Sequence, residues 1–167
     1  MPQSVSRGGV CKRLLTGWAI TSMLLLLPGL VSADTAEEVT SVIKERSAYS
    51  NENLKEAPDT VSKDGSLQFW SSGGLMQWVP ADGPLDEYDF QSITPKHIKV
   101  ITLVEGQAAV AMYYSEGGFQ RKGAKPVTGY LTRVTEVYVK EDGVWKVRAA
   151  HWSPIAGGSG TNQNSLE

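Results

Sequence analysis

Thr132-Arg133-Val134-Thr135-Glu136-Val137-Tyr138-Val139-Lys140, then Glu141-Asp142-Gly143, then Val144-Trp145-Lys146-Val147-Arg148-Ala149-Ala150-His151-Trp152 is the stretch that decides the fold. Two alternating, β-branched runs flank an acidic turn that carries glycine, the pattern of a long antiparallel hairpin. Taking Glu141-Asp142-Gly143 as a three-residue loop pairs Lys140 with Val144. Val139 then faces Trp145, Val137 faces Val147, Thr135 faces Ala149 and Arg133 faces His151, all on one side of the ribbon. The apolar stripe marks that side as the core-facing one. The other side sets Tyr138 against Lys146, Glu136 against Arg148 and Val134 against Ala150. Glu136 with Arg148 reads there as a surface pair worth about 0.2 to 1 kcal/mol. A slip of one residue exchanges the two faces.

Working outward, Ile98 to Val104 and Gln107 to Ser115 form a second hairpin around Glu105-Gly106, and Ser66 to Ser71 reads as a strand. Ser72-Gly73-Gly74 then makes a tight turn into a short strand through Leu75, Gln77 and Trp78. Pro80 to Asp89 and the basic segment Gly117 to Pro126 read as loops. Upstream, Thr35-Ala36-Glu37-Glu38 has capping-box spacing, and Val39, Val42 and Ile43 follow at helical intervals. These place a helix from Thr35 to about Tyr49, with Asn51 to Ala57 as a second short turn ended by Pro58. A helix followed by about six strands, with no βαβ alternation, predicts a single α+β domain. Its curved mixed or antiparallel sheet wraps around the N-terminal helix.

The ends read differently. Arg7, Lys12 and Arg13 precede an apolar run, then Pro28-Gly29 and the small residues of Val31-Ser32-Ala33, the form of a cleaved export signal over residues 1–33. Leu14 to Val31 is also just long enough for a retained anchor, the competing reading. Cys11 lies upstream of the apolar run, in the wrong place for lipid attachment. Residues 34–156 are then the domain, exported and free of the membrane, and 157–167 a flexible polar tail. The chain of 167 residues is 41% hydrophobic with 16 Lys+Arg against 18 Asp+Glu, an ordinary globular balance. Its acidic balance excludes nucleic acid as the main partner. With no cysteine after Cys11, packing alone holds the domain.

The hairpin Thr132 to Val147 with His151-Trp152-Ser153-Pro154 resembles the closing strands of the nuclear transport factor 2-like superfamily. It is most similar to the branch of SnoaL-like proteins, kinase association domains and a group of unknown function. Phe69-Trp70-Ser71-Ser72-Gly73-Gly74-Leu75 and Pro95-Lys96-His97-Ile98 fit earlier strands of that group. The resemblance implies a cone-shaped α+β barrel with a pocket between helix and sheet, and relatives that include isomerases, cyclases, dehydratases and oligomerisation modules. The short, proline-interrupted segment after the first helix departs from that pattern.

In the expected register, Arg133 and His151 stand at the far end of an apolar inner face, with Thr135 beside them. One reading makes them a catalytic or binding pair, guanidinium orienting an oxygen and imidazole moving a proton. The other pairs Arg133 with an internal carboxylate and leaves His151 a satisfied core group. Trp70, Trp78, Tyr113 and Trp145 are candidates for lining a site for a flat apolar ligand, or are simply core. Tyr113 and Tyr114 face opposite sides, so at most one points inward. His97 reads as a loop or capping residue. Asp59 and Asp64 are the remaining carboxylates for a base. The motifs of zinc, nucleotide and α/β-hydrolase sites are missing, so no cofactor or metal is expected.

Three functions follow as expectations: an exported pocket protein for a small apolar or carboxylate-bearing molecule, a steroid-isomerase-like or cyclase-like enzyme, or an oligomerisation module. A homodimer is expected, with the sheet face of Tyr138, Val134 and Trp152 packing on its twin.

Overall fold

A computed structural model describes residues 34–155, so the expected export signal and the tail from 157 lie outside the described residues. One helix, α1 (Thr35–Asn53), precedes six strands: β1 (Ser66–Phe69), β2 (Gln77–Val79), β3 (Tyr88–Val104), β4 (Ala108–Arg121), β5 (Val127–Glu141) and β6 (Val144–Pro154). They form one open sheet in the order β2-β1-β6-β5-β4-β3. Only β1 beside β6 is parallel. This is the expected α+β arrangement, a curved mixed sheet around an N-terminal helix.

The helix starts at Thr35 as expected, but its cap lies one residue earlier than the capping-box spacing puts it. Asp34 is the N-cap, and its Oδ1 accepts the Glu37 amide at 2.7 Å. Thr35 Oγ1 instead donates to Glu105 Oε1 and accepts from the Gly106 amide, both at 2.7 Å, which fastens the helix start to the β3–β4 turn. The helix also runs on to Asn53, where Leu54 turns left-handed (φ 52°) and ends it. Of the expected second helical turn from Asn51 to Ala57, the first three residues belong to α1 and the rest leave the helix, with Lys55 bridged to Glu87.

At the sheet's edge, α1 stands in for a further strand. Asn51 accepts the Ile93 amide at 2.9 Å and donates to the Ile93 carbonyl at 2.8 Å, with Ser47 donating to the same oxygen. Those backbone groups would otherwise offer a pairing edge.

Strands β3 and β4 are longer than expected, because β3 already begins in the acidic segment and β4 continues through Gly117. At Gly117 (φ 140°) a Cβ would lie 1.8 Å from the Ser92 carbonyl oxygen, so only glycine permits this close crossing where the β4–β5 register shifts.

The β5–β6 register departs from the expected one. The loop has two residues, Asp142 (φ 49°) and Gly143 (φ 83°), and Glu141 pairs with Val144. Two successive positive φ values are the type I′ geometry that Asp-Gly favours. Lys140 therefore faces Trp145 and Tyr138 faces Val147, one residue off the expected pairing. Arg148 is then an extra residue, a bulge, after which Val137 pairs with Ala149, Thr135 with His151 and Arg133 with Ser153.

The faces of β5 are consequently exchanged. Thr132, Val134, Glu136 and Tyr138 point inward and are buried, joined by Tyr113, Trp145, Val147 and Ala150 around Val39 and Ile43 of α1. On β6 the bulge switches the parity midway, so Trp145 and Val147 face inward as expected while Ala149 and His151 do not.

The outer face carries an apolar row that crosses every strand: Trp78, Leu67, Ala149, Val137, Val110 and Ile101. Beside it run Phe69, His151, Thr135, Met112 and Lys99. Tyr138 and Val134, expected on a self-packing outer surface, belong to the core, and Trp152 packs against it.

Candidate functional site

Val39, Ile43, Arg46 and Ser50 recur at helical intervals along α1, so the stripe that begins apolar ends in a guanidinium turned toward the sheet. Opposite stands Glu136, flanked across the sheet by Ala111 and Ala150, whose small side chains leave room for it. Arg46 Nη2 donates to Glu136 Oε1 at 2.7 Å and to Oε2 at 2.8 Å. The hydroxyls of Tyr113 and Tyr138 donate to the same Oε2 at 2.9 and 2.6 Å. The Arg46 guanidinium also lies 5.9 Å from the centre of the Tyr138 ring.

A carboxylate whose side chain is only 1% exposed needs several donors to replace its lost hydration. Burial opposes the charge on Arg46, but Glu136, then Tyr138 and Tyr113, outweigh it and hold the guanidinium firmly protonated. Burial lifts both tyrosines well above the usual phenol range; the Glu136 charge pushes the same way, while Arg46 opposes it. Glu136 is thus a filled acceptor, sealed from solvent, and not a carboxylate free to remove a proton.

Arg46 itself reaches further. It lines a groove of about 330 Å³ between α1, the segment from Ala57 to Thr60 and the start of β6. Val42, Tyr49, Ala57, Pro58, Val144 and Trp145 give the groove an apolar wall, and Glu45, Asp59 and Thr60 add polar groups. Its size is at the lower end of small-molecule sites.

Trp145 is aimed by its indole N–H, which donates to Glu38 Oε2 at 2.7 Å while Lys140 Nζ reaches the same oxygen at 2.6 Å. Those two donors hold the Glu38 carboxyl below its ordinary pKa.

The opposite wall is fastened to β6. Lys146 Nζ donates to the Asp59 carbonyl at 2.6 Å and pairs with its carboxylate, and Val147 N donates to the Thr60 carbonyl at 2.8 Å. A second groove of about 490 Å³ lies between the start of α1 and Ile98–Val100, with no aromatic ring among its walls.

Of the seven residues marked by sequence, the fold brings only Tyr113 and Trp145 to this end of the interior. Arg133 is exposed on the outer face and donates to the Pro154 carbonyl at 3.3 Å. His151 is exposed there too, its ring edge-on to Phe69 at 5.5 Å, with Thr135 beside it. The shorter turn and the Arg148 bulge move all three away from the cup. Trp78 is 55% exposed under the Arg148 guanidinium. Trp70 bonds Gln68 and lies under Arg121 at the end of β1. Tyr114 is outside with His97, which takes a positive φ in a β3 bulge. Asp59 lines the groove but is tied to Lys146, and Asp64 is exposed.

Arg46 and Glu136 were missed as partners because they lie ninety positions apart. The available signal was Asp142-Gly143, whose preference for a two-residue turn puts Glu136 inside.

No family model matches the chain, and no curated protein does. Solved structures do. The likeness is to nuclear transport factor 2-like folds. One is a nuclear transport factor 2-like protein of unknown function from Prochlorococcus marinus, 20% identical over 78% of this chain and 97% of that one, TM-score 0.48. Another is the association domain of C. elegans calcium/calmodulin-dependent kinase II, 14% identical over 70% and 94%, TM-score 0.47. A third is a kinase II association-domain protein from Exiguobacterium sibiricum, 16% identical over 73% and 94%, TM-score 0.46.

Proposed function

We propose that this protein is an exported binding module that holds a small, largely apolar molecule in the groove beside Arg46. One observation carries the reading: Arg46 is bound from behind by the buried Glu136 and meets an aromatic and aliphatic groove in front. A fixed cation at an apolar wall orients a ligand's acceptor group, while the wall supplies contact area. The enzyme reading is weaker, because Glu136 has all its donors in place and Asp59 is tied to Lys146. Native mass spectrometry of the purified full chain tests the proposal. A co-purified small molecule, lost in Trp145→Ala, is the expected result, and a ligand retained equally by both proteins contradicts it.

A second reading rests on the outer face. The apolar row from Trp78 to Ile101 suits packing against a second copy, since large exposed apolar patches mark interaction surfaces. Dimerisation and groove binding use opposite faces of the sheet and are compatible.

A further inference from the structure

The groove reading leaves open what Arg46 recognises, and two observations decide it. The first is the geometry of the guanidinium. Its two-pronged edges, through which arginine grips a carboxylate with paired bonds, both include Nη2. Here Nη2 donates to both Glu136 oxygens and, at 3.5 Å, to the Tyr113 hydroxyl, which occupies its N–H groups. Among the described residues, Nε and Nη1 have no acceptor, and neither is among the buried unpartnered atoms. They can donate one at a time, but no free two-pronged edge remains.

The second is the charge around the groove. Glu136 balances Arg46 and Lys146 balances Asp59, which leaves Glu45 on the rim as an uncompensated negative charge. A carboxylate entering there would lose the paired grip and meet net repulsion.

We infer that the group recognised by Arg46 is an uncharged single acceptor, a ketone, ester or amide carbonyl carried on a small apolar body, and not a carboxylate. This rests on the groove being the binding site.

The test uses three one-ring probes of similar size on the full chain: acetophenone, benzoate and ethylbenzene, titrated while the Trp145 indole and the Val42 and Val144 methyl signals are followed by NMR. Acetophenone is expected to bind roughly tenfold more tightly than either of the others. Arg46→Met should bring it down to the level of ethylbenzene. Because that variant leaves Glu136 uncompensated and can lose its fold, Glu45→Gln is the second arm. Rim-charge removal should narrow the gap between acetophenone and benzoate several-fold. Benzoate binding as tightly as acetophenone, or a gap that Glu45→Gln leaves untouched, overturns the carbonyl preference while the groove stands. Signals that no probe moves overturn the groove as well.

Discussion

Glu136 shows how much a single side chain's surroundings determine its role. On an outer face it would be half of a weak surface pair; inside, it is held by one arginine and two tyrosines, and its partner faces the groove. Removing its charge strands Arg46 in the interior, so Glu136→Gln is expected to cost roughly 3 kcal/mol in denaturant unfolding. Arg46→Met combined with Glu136→Met should cost clearly less than the two single changes summed, as a double-mutant cycle reads.

Glu56 gives the opposite case. Burial raises its pKa, with the neighbouring Asp86 carboxylate adding to the effect against the pull of the Asp86 amide. A folded acid with a raised pKa keeps its proton longer than the unfolded one, so this group makes stability fall as pH rises from the unfolded value through the folded one. Glu56→Gln should therefore melt a few degrees higher at neutral pH. That advantage should shrink on acidification to below about pH 4, where the carboxyl is protonated in both states. Equal melting temperatures at neutral pH would show that Glu56 carries no such penalty.

Among the elements, the β5–β6 turn has the widest consequence. Asp142 and Gly143 both adopt positive φ, and their two-residue loop sets which face of β5 turns inward. Gly143→Ala puts a Cβ on a left-handed residue and is expected to cost about 1 to 2 kcal/mol. That turn brings Trp145 and Val147 inward beside Tyr138, and the Arg148 bulge then switches the phase so that Ala150, and not Ala149, faces the interior opposite Glu136. Alternation alone could not reveal this, because an inserted residue changes the phase partway along a strand. The helix, the six strands and their order of appearance were legible from periodicity and turn residues. The N-cap was not: a hydroxyl at Thr35 satisfies the capping pattern, yet it is drawn to Glu105 by a turn seventy positions away.

For the whole molecule, the two faces of one sheet divide the work. The inner face surrounds the Arg46–Glu136 pair, and the outer face keeps large apolar groups in water, Met112 at 50% and Ile101 at 54% exposure. If that face pairs with a twin, the chain should run as a dimer in size-exclusion chromatography with light scattering. Met112→Glu should shift it to monomer with its circular dichroism unchanged, since Lys99 lies opposite to accept the new charge. A monomeric parent at micromolar concentration removes the dimer proposal.

Local chemistry was enough to specify a helix, a set of β-hairpins and an α+β domain, because caps, turns and alternation act over a few residues. It was not enough to say which face of the last hairpin is the inside, since one residue of register reverses every side chain. Packing decided between the two loop lengths that Glu141-Asp142-Gly143 allows, through the arrangement in which a glutamate from the sheet and an arginine from the helix neutralise each other out of water.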